Sequence, residues 1–177
     1  VVDITTTSSA SSGTYSLIVN NLATESKLIT SGYARTTTSI ASGTVTIVIG
    51  SSASATVTID STNNTLDGLR LAVNNLGLDV KASFLNDGDT TNPYRLLISG
   101  TQTGSSGTVT MSHATTSTPF SVNLPGISFE TTQTARDASL LLDGVSITKS
   151  SNTVTDVISG AADQKSTRLN SSHSEIS

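Results

Sequence analysis

Few side chains in this sequence have the types and spacing that catalysis or metal binding requires. His113 and His173 are its two histidines, and His113 lies in a polar Ser/Thr stretch without a second ligand at a metal-binding spacing. We therefore interpret His113 as an exposed loop residue. Serines are abundant, but no Gly-x-Ser-x-Gly elbow occurs that would place one beside a general base. Because a nucleophile, a base and an orienting group do not occur together, the sequence predicts a protein that is not an enzyme.

One acidic cluster, Asn86-Asp87-Gly88-Asp89, offers oxygen atoms of the kind that bind calcium. It lacks the alternating acids and the distal Glu of an EF-hand loop, so we interpret it as a turn rather than a calcium site. The glycines within residues 100–107 are not followed by the Gly-Lys-Ser/Thr of a phosphate-binding loop. The sequence therefore predicts neither a metal nor a cofactor.

The composition is rich in hydroxyl groups and poor in charge. Ser and Thr contribute 31 residues each to a chain of 177, whereas charged residues make up 12% instead of the usual ~25%. A net charge of −4 gives no electrostatic reason to bind a phosphate backbone, and no apolar run approaches the length of a membrane-spanning helix. We therefore expect no nucleic-acid partner and no membrane insertion. The absence of Cys excludes disulfides and thiolate metal sites.

The elements that must carry these residues are mostly strands. Apolar residues alternate with Thr, Ser or charged residues, which is the pattern of strands with one buried face. Val45, Ile47 and Ile49, for example, fall on one face of a strand whose other face carries threonines. The same alternation occurs in residues 55–59, 80–84, 95–99, 109–111 and 120–124. We therefore expect Thr to form the solvent-facing side of sheets, because its β-branched side chain suits a pleated strand.

One segment changes to the period of a helix. Four apolar residues between Thr65 and Gly77 would line one helix face: Leu66, Leu69, Val73 and Leu76. Thr65 is expected to cap the N-terminus, and Gly77 to end the helix in a left-handed conformation. Asp143-Gly144 is the clearest of several turn signals and predicts a tight hairpin. The predicted fold is mainly β, with two small β-sandwich-like domains, one inserted in the other, and one amphipathic helix at about residues 65–77.

Three stretches carry a family resemblance when they are read in order. Residues 12–23 read Ser-Gly-Thr-Tyr-Ser-Leu-Ile-Val-Asn-Asn-Leu-Ala, residues 64–99 begin with Asn-Thr-Leu-Asp-Gly-Leu-Arg, and residues 135–160 begin with Ala-Arg-Asp-Ala and include Ser-Asn-Thr-Val at 151–154. These stretches resemble the head region of bacterial flagellar filament cap proteins, the hook-associated protein 2 family, and the second resembles its flagellin hook IN motif. The structural positions that this resemblance marks are Tyr15, Val19, Leu22, Ala23, Leu66, Leu69, Val73, Asn74, Ala82, Leu96, Ala138, Gly144, Asn152 and Gly160.

The resemblance implies a domain organisation and a function. Residues 42–115, with the hook IN motif, would be inserted into a β-rich domain made of residues 1–41 and 116–164. The protein would be a secreted, structural part of the bacterial flagellum at the distal tip of the filament, where several copies form a cap under which exported flagellin polymerises. The implied partners are other copies of the chain, flagellin, hook-filament junction proteins and, in some family members, host mucin glycans.

Both ends of the chain depart from the family. Cap proteins have long helical termini with coiled-coil heptads, and this sequence shows no such helix. Residues 165–177 leave the strand pattern and resemble a translated sequencing-adaptor artefact. We therefore expect this segment to be a non-native or disordered tail, and we give His173 within it no functional weight.

The alternative function is that of a secreted adhesin or carbohydrate-binding β-sandwich module. Sugar-binding platforms usually need exposed aromatic faces, and the chain has six aromatic residues: Tyr15, Tyr33, Phe84, Tyr94, Phe120 and Phe129. We expect Phe84 and Phe120 to be core residues. A tyrosine or Phe129 would therefore have to supply the platform.

Overall fold

The architecture is known from a computed structural model that describes residues 2–6, 13–51, 53–115, 126–157, 161–165 and 174–176. Side chains are described for residues 13–51, 53–114 and 126–157. The strands are β1 (Val2–Thr6), β2 (Tyr15–Asn21), β3 (Glu25–Thr30), β4 (Gly43–Ile49), β5 (Ala53–Ile59), β6 (Val80–Asn86), β7 (Tyr94–Thr103), β8 (Val109–Thr115), β9 (Phe129–Gln133), β10 (Ala138–Leu142), β11 (Val145–Lys149), β12 (Thr153–Val154), β13 (Ala161–Lys165) and β14 (Ser174–Ile176). Helix α1 (Leu66–Asn74) and a 3-10 turn (Ser105–Gly107) complete the described elements. The prediction of a mainly β chain is confirmed.

The chain divides into two compact units. The inserted unit consists of Glu25–Gln102 and Ser106–Ala135, and the flanking unit consists of Val1–Thr24, Thr103–Ser105 and Arg136–Ser177. The inserted unit is longer than the predicted insert of residues 42–115, because β3 and β9, which lie outside that range, pair with each other within this unit. The predicted domain boundaries themselves stay a prediction.

The inserted unit is built from two sheets that share one apolar core. One sheet has the order β6-β7-β3-β9, and the other has the order β5-β4-β8 with all neighbours antiparallel. The alternation predicted for β4 is confirmed, since Val45 and Ile47 are fully buried. Residues of both sheets and of α1 contribute to this core: Leu28, Tyr33, Ile40, Val45, Ile47, Ile49, Val57, Ile59, Leu66, Leu69, Val73, Val80, Ala82, Leu96, Ile98, Val109 and Ile127.

Helix α1 forms where the sequence predicts it but ends earlier. The Thr65 hydroxyl accepts a hydrogen bond from the Gly68 N–H at 3.0 Å, which confirms the predicted cap. The helix ends at Asn74, so the predicted range of residues 65–77 was too long at its C-terminus. Gly77 still has the expected positive φ of 68°. Gly68 is required inside the helix because a Cβ there would lie 2.2 Å from the Asn63 carbonyl oxygen.

The flanking unit contains a sheet with the order β11-β10-β2-β14 and a smaller sheet with the order β1-β13-β12. Its core cluster in the described part of the chain consists of Leu17, Leu140 and Val154. The Asp143-Gly144 turn joins β10 to β11, with φ values of 49° and 82°. Positive φ at both central residues is the geometry of a type I′ hairpin, which confirms this prediction.

Some predicted elements cannot be compared with the structure. The strand predicted over residues 120–124 and the marked residue Gly160 lie outside the described residues. Within the predicted tail of residues 165–177, β14 pairs with β2, with Ser174 opposite Leu17 and Ile176 opposite Tyr15. The origin of this segment stays a prediction.

Candidate functional site

Within the part of the chain that the structure describes, no three His, Asp or Glu residues come together in a way that could hold a metal ion. The segment of residues 86–92 is a loop closed by its own side chains, because Asp89 Oδ1 accepts hydrogen bonds from the N–H groups of Thr91 and Asn92. The N–H of Asp89 and the guanidinium of Arg95 both donate to Asp87 and hold the pKa of that carboxyl below its usual range. These carboxylates stabilise a turn. Among the described helices, none is long and apolar enough to cross a membrane.

His113 does not lie in an exposed loop, and that interpretation was wrong. The residue is part of β8, opposite Val45 of β4, and its side chain is half-buried. Its Nδ1 accepts a hydrogen bond from the N–H of Ile127 at 3.2 Å, and burial lowers the pKa of the imidazole. His113 therefore connects β8 to the segment that leads into β9. Nothing in the sequence indicated this hydrogen bond, because residues 112–118 are mostly polar and the donor, the N–H of Ile127, is distant in sequence.

In the inserted unit, the residues marked by the family resemblance lie together between α1 and the sheet. Leu66, Leu69 and Val73 form the fully buried face of the helix, and Leu96 of β7 is fully buried in the same core. Asn74, at the end of the helix, donates from Nδ2 to the Ala82 carbonyl at 2.9 Å and accepts the Ala82 N–H at 2.8 Å. One side-chain amide thus occupies both backbone groups of a residue in β6, as a neighbouring strand would.

Asn152 makes the same arrangement in the flanking unit. Its Oδ1 accepts the Ala23 N–H at 2.8 Å, and its Nδ2 donates to the Ala23 carbonyl at 2.9 Å. Three further marked residues, Val19, Leu22 and Ala138, line a shallow apolar depression beside Asn152. The resemblance therefore marks a cluster that combines a small apolar surface with one amide clamp.

A third amide clamp was missed by the sequence analysis. Asn63 donates from Nδ2 to the Thr58 carbonyl at 2.8 Å and accepts the Asp60 N–H at 2.8 Å. It covers the last outward carbonyl of β5 and the N–H just beyond the strand, whereas Asn74 covers both backbone groups of one residue of β6. Asparagine is common near turns, so no local signal distinguishes a side chain that reaches back to a strand edge.

A network of hydrogen bonds connects three segments of the flanking unit. Thr24 and Arg136 exchange backbone hydrogen bonds of 2.9 and 3.2 Å, and the Gly104 N–H donates to the Thr24 carbonyl. The Asp137 carboxylate accepts from both the N–H and the hydroxyl of Ser105, at 2.8 and 2.9 Å. A Cβ at Gly104 would lie 2.6 Å from the Ser150 Cβ, so this position has room for glycine only. Residues 103–105 are thus integrated into the flanking unit by polar contacts.

The remaining marked residues are more peripheral. Tyr15 begins β2 and is half-buried, and Gly144 lies in the exposed hairpin turn. The structure therefore brings most of the marked residues into two clusters, one in each unit. Their role stays a prediction.

Comparison with known proteins identifies what these clusters belong to. The chain is 29% identical over 179 aligned positions to the B-type flagellar hook-associated protein 2 of Pseudomonas aeruginosa PAO1, an alignment that covers 92% of this chain and 37% of that protein. It is 30% identical to the flagellar hook-associated protein 2 of Escherichia coli K12, with coverage of 86% and 34%. The chain therefore spans about a third of the length of the curated relatives it matches.

Solved structures agree with the sequence comparison. The D1-D2-D3 domains of the Escherichia coli flagellar cap protein FliD superimpose with a TM-score of 0.78 and 27% identity, over 98% of this chain and 51% of that one. The D2-D3 domains alone superimpose with a TM-score of 0.77 and 25% identity, over 98% and 92%. No model of a protein family matches the chain, so the flagellin hook IN motif stays a prediction. In sequence the chain is therefore similar to flagellar hook-associated protein 2, and in fold it is similar to the D2-D3 region of the flagellar cap protein.

Proposed function

We propose that this chain is the head region of a flagellar filament cap, a structural and non-enzymatic part at the distal tip of the bacterial flagellum. The observation that carries the proposal is the shared D2-D3 fold over nearly the whole chain. The flanking and inserted units would be the counterparts of the two domains D2 and D3. Other copies of the chain would be its neighbours in a cap, beneath which flagellin and the junction proteins assemble.

The surface chemistry supports a role in packing rather than in catalysis. The exposed face of the sheet β5-β4-β8 presents hydroxyl groups and small side chains, and none of its residues carries a formal charge: Thr44, Thr46, Val48, Ser54, Thr56, Thr58, Thr110, Ser112 and Ala114. Such a face can pack against a neighbour without having to bury a charge, which is costly unless the charge is paired. The head would therefore work through shape and hydrogen bonding.

Replacement of a cap head in a living flagellum tests the proposal. The full chain would be grafted in place of the D2-D3 region of the Escherichia coli cap protein, and filament length and swimming would be measured. We expect the graft to restore filaments. As a control, the same graft with Leu69→Asp, which places a charge in the fully buried core, should lose them. A folded and exported graft that leaves flagellin unpolymerised in the medium would contradict the proposal.

No observation favours the carbohydrate-binding alternative. Tyr33 is only 4% exposed and belongs to the core of the inserted unit, so it is not available as a sugar platform. Tyr94 and Phe129 are half-buried and pack against the same core. These three rings are therefore covered wholly or in part by the core.

A further inference from the structure

The edges of the described sheets differ in how they are protected from further pairing. A strand edge with free N–H and C=O groups can add a strand from another molecule, and proteins usually cover such edges or place charges on them. Asn74 covers β6, Ser26 Oγ donates to the Val109 carbonyl on β8, β9 carries Glu130, and β11 carries Lys149. Among edge strands of more than two residues whose side chains are all described, β5 alone carries no charge, and Asn63 covers it at one end only.

The hydrogen-bonding direction of β5 follows from two observations. The Gly50 N–H donates to the Thr108 carbonyl, so Gly50 and the residues at alternate positions of β4 before it turn their backbone groups toward β8. The other β4 residues therefore bond to β5, which leaves Ser54, Thr56 and Thr58 of β5 with backbone groups directed away from the sheet. The Asn63 amide donates to the Thr58 carbonyl, as this direction requires.

Asn63 closes one end of this free edge. It occupies the Thr58 carbonyl and the Asp60 N–H, so the edge is left open at Ser54 and Thr56. Both residues are exposed, and the structure gives their outward backbone groups no partner among the described residues. The open part of the edge is therefore short, uncharged and bounded.

We propose that a second copy of this chain pairs with this edge, strand β5 against strand β5, antiparallel and about a two-fold axis at Ala55. In this register Ser54 of each copy lies opposite Thr56 of the other, and each pair exchanges two backbone hydrogen bonds. The outward N–H and carbonyl groups of Ser54 and Thr56 are then all hydrogen-bonded, and Asn63 keeps its own hydrogen bonds in both copies. No like charges meet, because residues 51–59 carry none.

The self-complementary register is the reason to choose a second copy rather than another protein. A two-fold contact uses the same patch on both molecules and closes after two copies. This contact goes beyond the proposed cap role, since a ring needs head-to-tail contacts made by other surfaces. Its failure would therefore leave the cap proposal standing.

A single cysteine tests the register directly, because the chain contains no other cysteine. At the two-fold axis, opposed Ala55 residues would form a non-hydrogen-bonded pair with Cα atoms ~4.5 Å apart, which is within the range of a disulfide. We expect Ala55→Cys to form a covalent dimer of twice the 18.1 kDa monomer mass under mild oxidation.

Thr56→Cys is the matched control on the same strand. Its two copies would be offset by two residues along the strand, ~7 Å, in addition to the strand separation of ~4.8 Å, which exceeds the reach of a disulfide. We expect this variant to stay monomeric on a non-reducing gel. Equal cross-linking of both variants, or none of Ala55→Cys, would overturn the proposed register.

A reversible measurement covers the case in which Ala55→Cys fails to fold. Thr56→Lys places a charge at the open edge, and Thr110→Lys places the same charge on the same sheet face, on β8. Sedimentation of the unmodified chain and of Thr110→Lys should show an average mass that rises with concentration, whereas Thr56→Lys should remain at the monomer mass. Identical behaviour of the two lysine variants would refute pairing through β5.

Discussion

The inserted unit and the flanking unit are each stabilised by a different kind of internal contact. In the inserted unit, 17 buried apolar residues form one continuous cluster between two sheets and a helix. In the flanking unit, the corresponding cluster of described residues has three members. Burial of apolar area is the dominant favourable term in folding. The inserted unit therefore has a large reserve of hydrophobic stabilisation that the described part of the flanking unit lacks.

Polar contacts take a larger share in the flanking unit. The Asn152 amide occupies both backbone groups of Ala23, and the Asp137 carboxylate accepts two hydrogen bonds from Ser105. The inserted unit has its own clamp in Asn74, but there the clamp borders a large core. In both units an asparagine side chain binds the N–H and the carbonyl of one backbone residue. Asn74 adds to a large apolar core in the inserted unit, whereas Asn152 provides a larger share of the stabilising contacts in the flanking unit.

The largest effect is expected from truncation in the core of the inserted unit. Leu69 of α1 is fully buried, so Leu69→Ala should lower the free energy of unfolding by about 2–5 kcal/mol. Leu71 on the same helix is 47% exposed, and Leu71→Ala is the matched control with an expected change below ~0.5 kcal/mol. Urea denaturation followed by circular dichroism measures both. Similar losses in the two variants would contradict the assigned core.

Substitution of the asparagine that binds the backbone in each unit should destabilise that unit and leave the other unchanged. Asn152→Ala leaves the Ala23 N–H and carbonyl without their partner, which costs about 1–3 kcal/mol. Asn74→Ala makes the same change at Ala82, where the surrounding core is larger. Hydrogen exchange read by mass spectrometry should show faster exchange across residues 15–24 in the first variant and across residues 80–86 in the second. If either variant exchanged faster by the same amount in both units, the assigned local roles of Asn152 and Asn74 would be wrong.

The smallest effect is a pH dependence that belongs to the inserted unit. Burial holds the pKa of His113 below its ordinary value of 6.5, so the unfolded chain binds a proton more readily than the folded one. The stability contributed by neutral His113 is present above pH 6.5 and is lost as the pH falls toward the folded-state pKa. Asp60, Asp87, Asp89 and Asp156 have pKa values lowered from 3.8 and act only in more acidic solution.

His113→Asn isolates this contribution. The Asn side-chain oxygen can accept the Ile127 N–H in place of Nδ1 and does not titrate. The urea midpoint of the unmodified chain should fall between pH 7 and 5, and that of His113→Asn should fall less. Parallel pH profiles would show that His113 does not sense pH in the folded chain.

Local patterns in the sequence predicted the elements well. The spacing of Leu66, Leu69 and Val73 identified the buried face of α1, and Asp143-Gly144 identified the hairpin turn. These features depend on residues that are close in sequence, so periodicity and turn chemistry are sufficient to find them. The contact at the end of the helix was not predictable in this way, because the side chain of Asn74 binds Ala82 of β6, which lies outside the helical pattern.

Periodicity and turn chemistry did not predict the contacts between residues that are distant in sequence. Asn152 binds a backbone 129 residues earlier in the chain, and His113 accepts a hydrogen bond from Ile127. Side-chain-to-backbone contacts of this kind leave no period in the sequence. The family resemblance marked Asn74 and Asn152 as structural positions, but only the structure shows what the two amides do.

Native-state hydrogen exchange of the unmodified chain tests the contrast between the units most directly. If the inserted unit is held by its large apolar core, the amides of β4, β7 and α1 should exchange last, and those of β2 and β10 should exchange much earlier, since local stability follows buried apolar contact. Mass spectrometry of proteolytic fragments would resolve the two groups. A single common exchange rate for both units, or slower exchange in β2 and β10, would contradict the account.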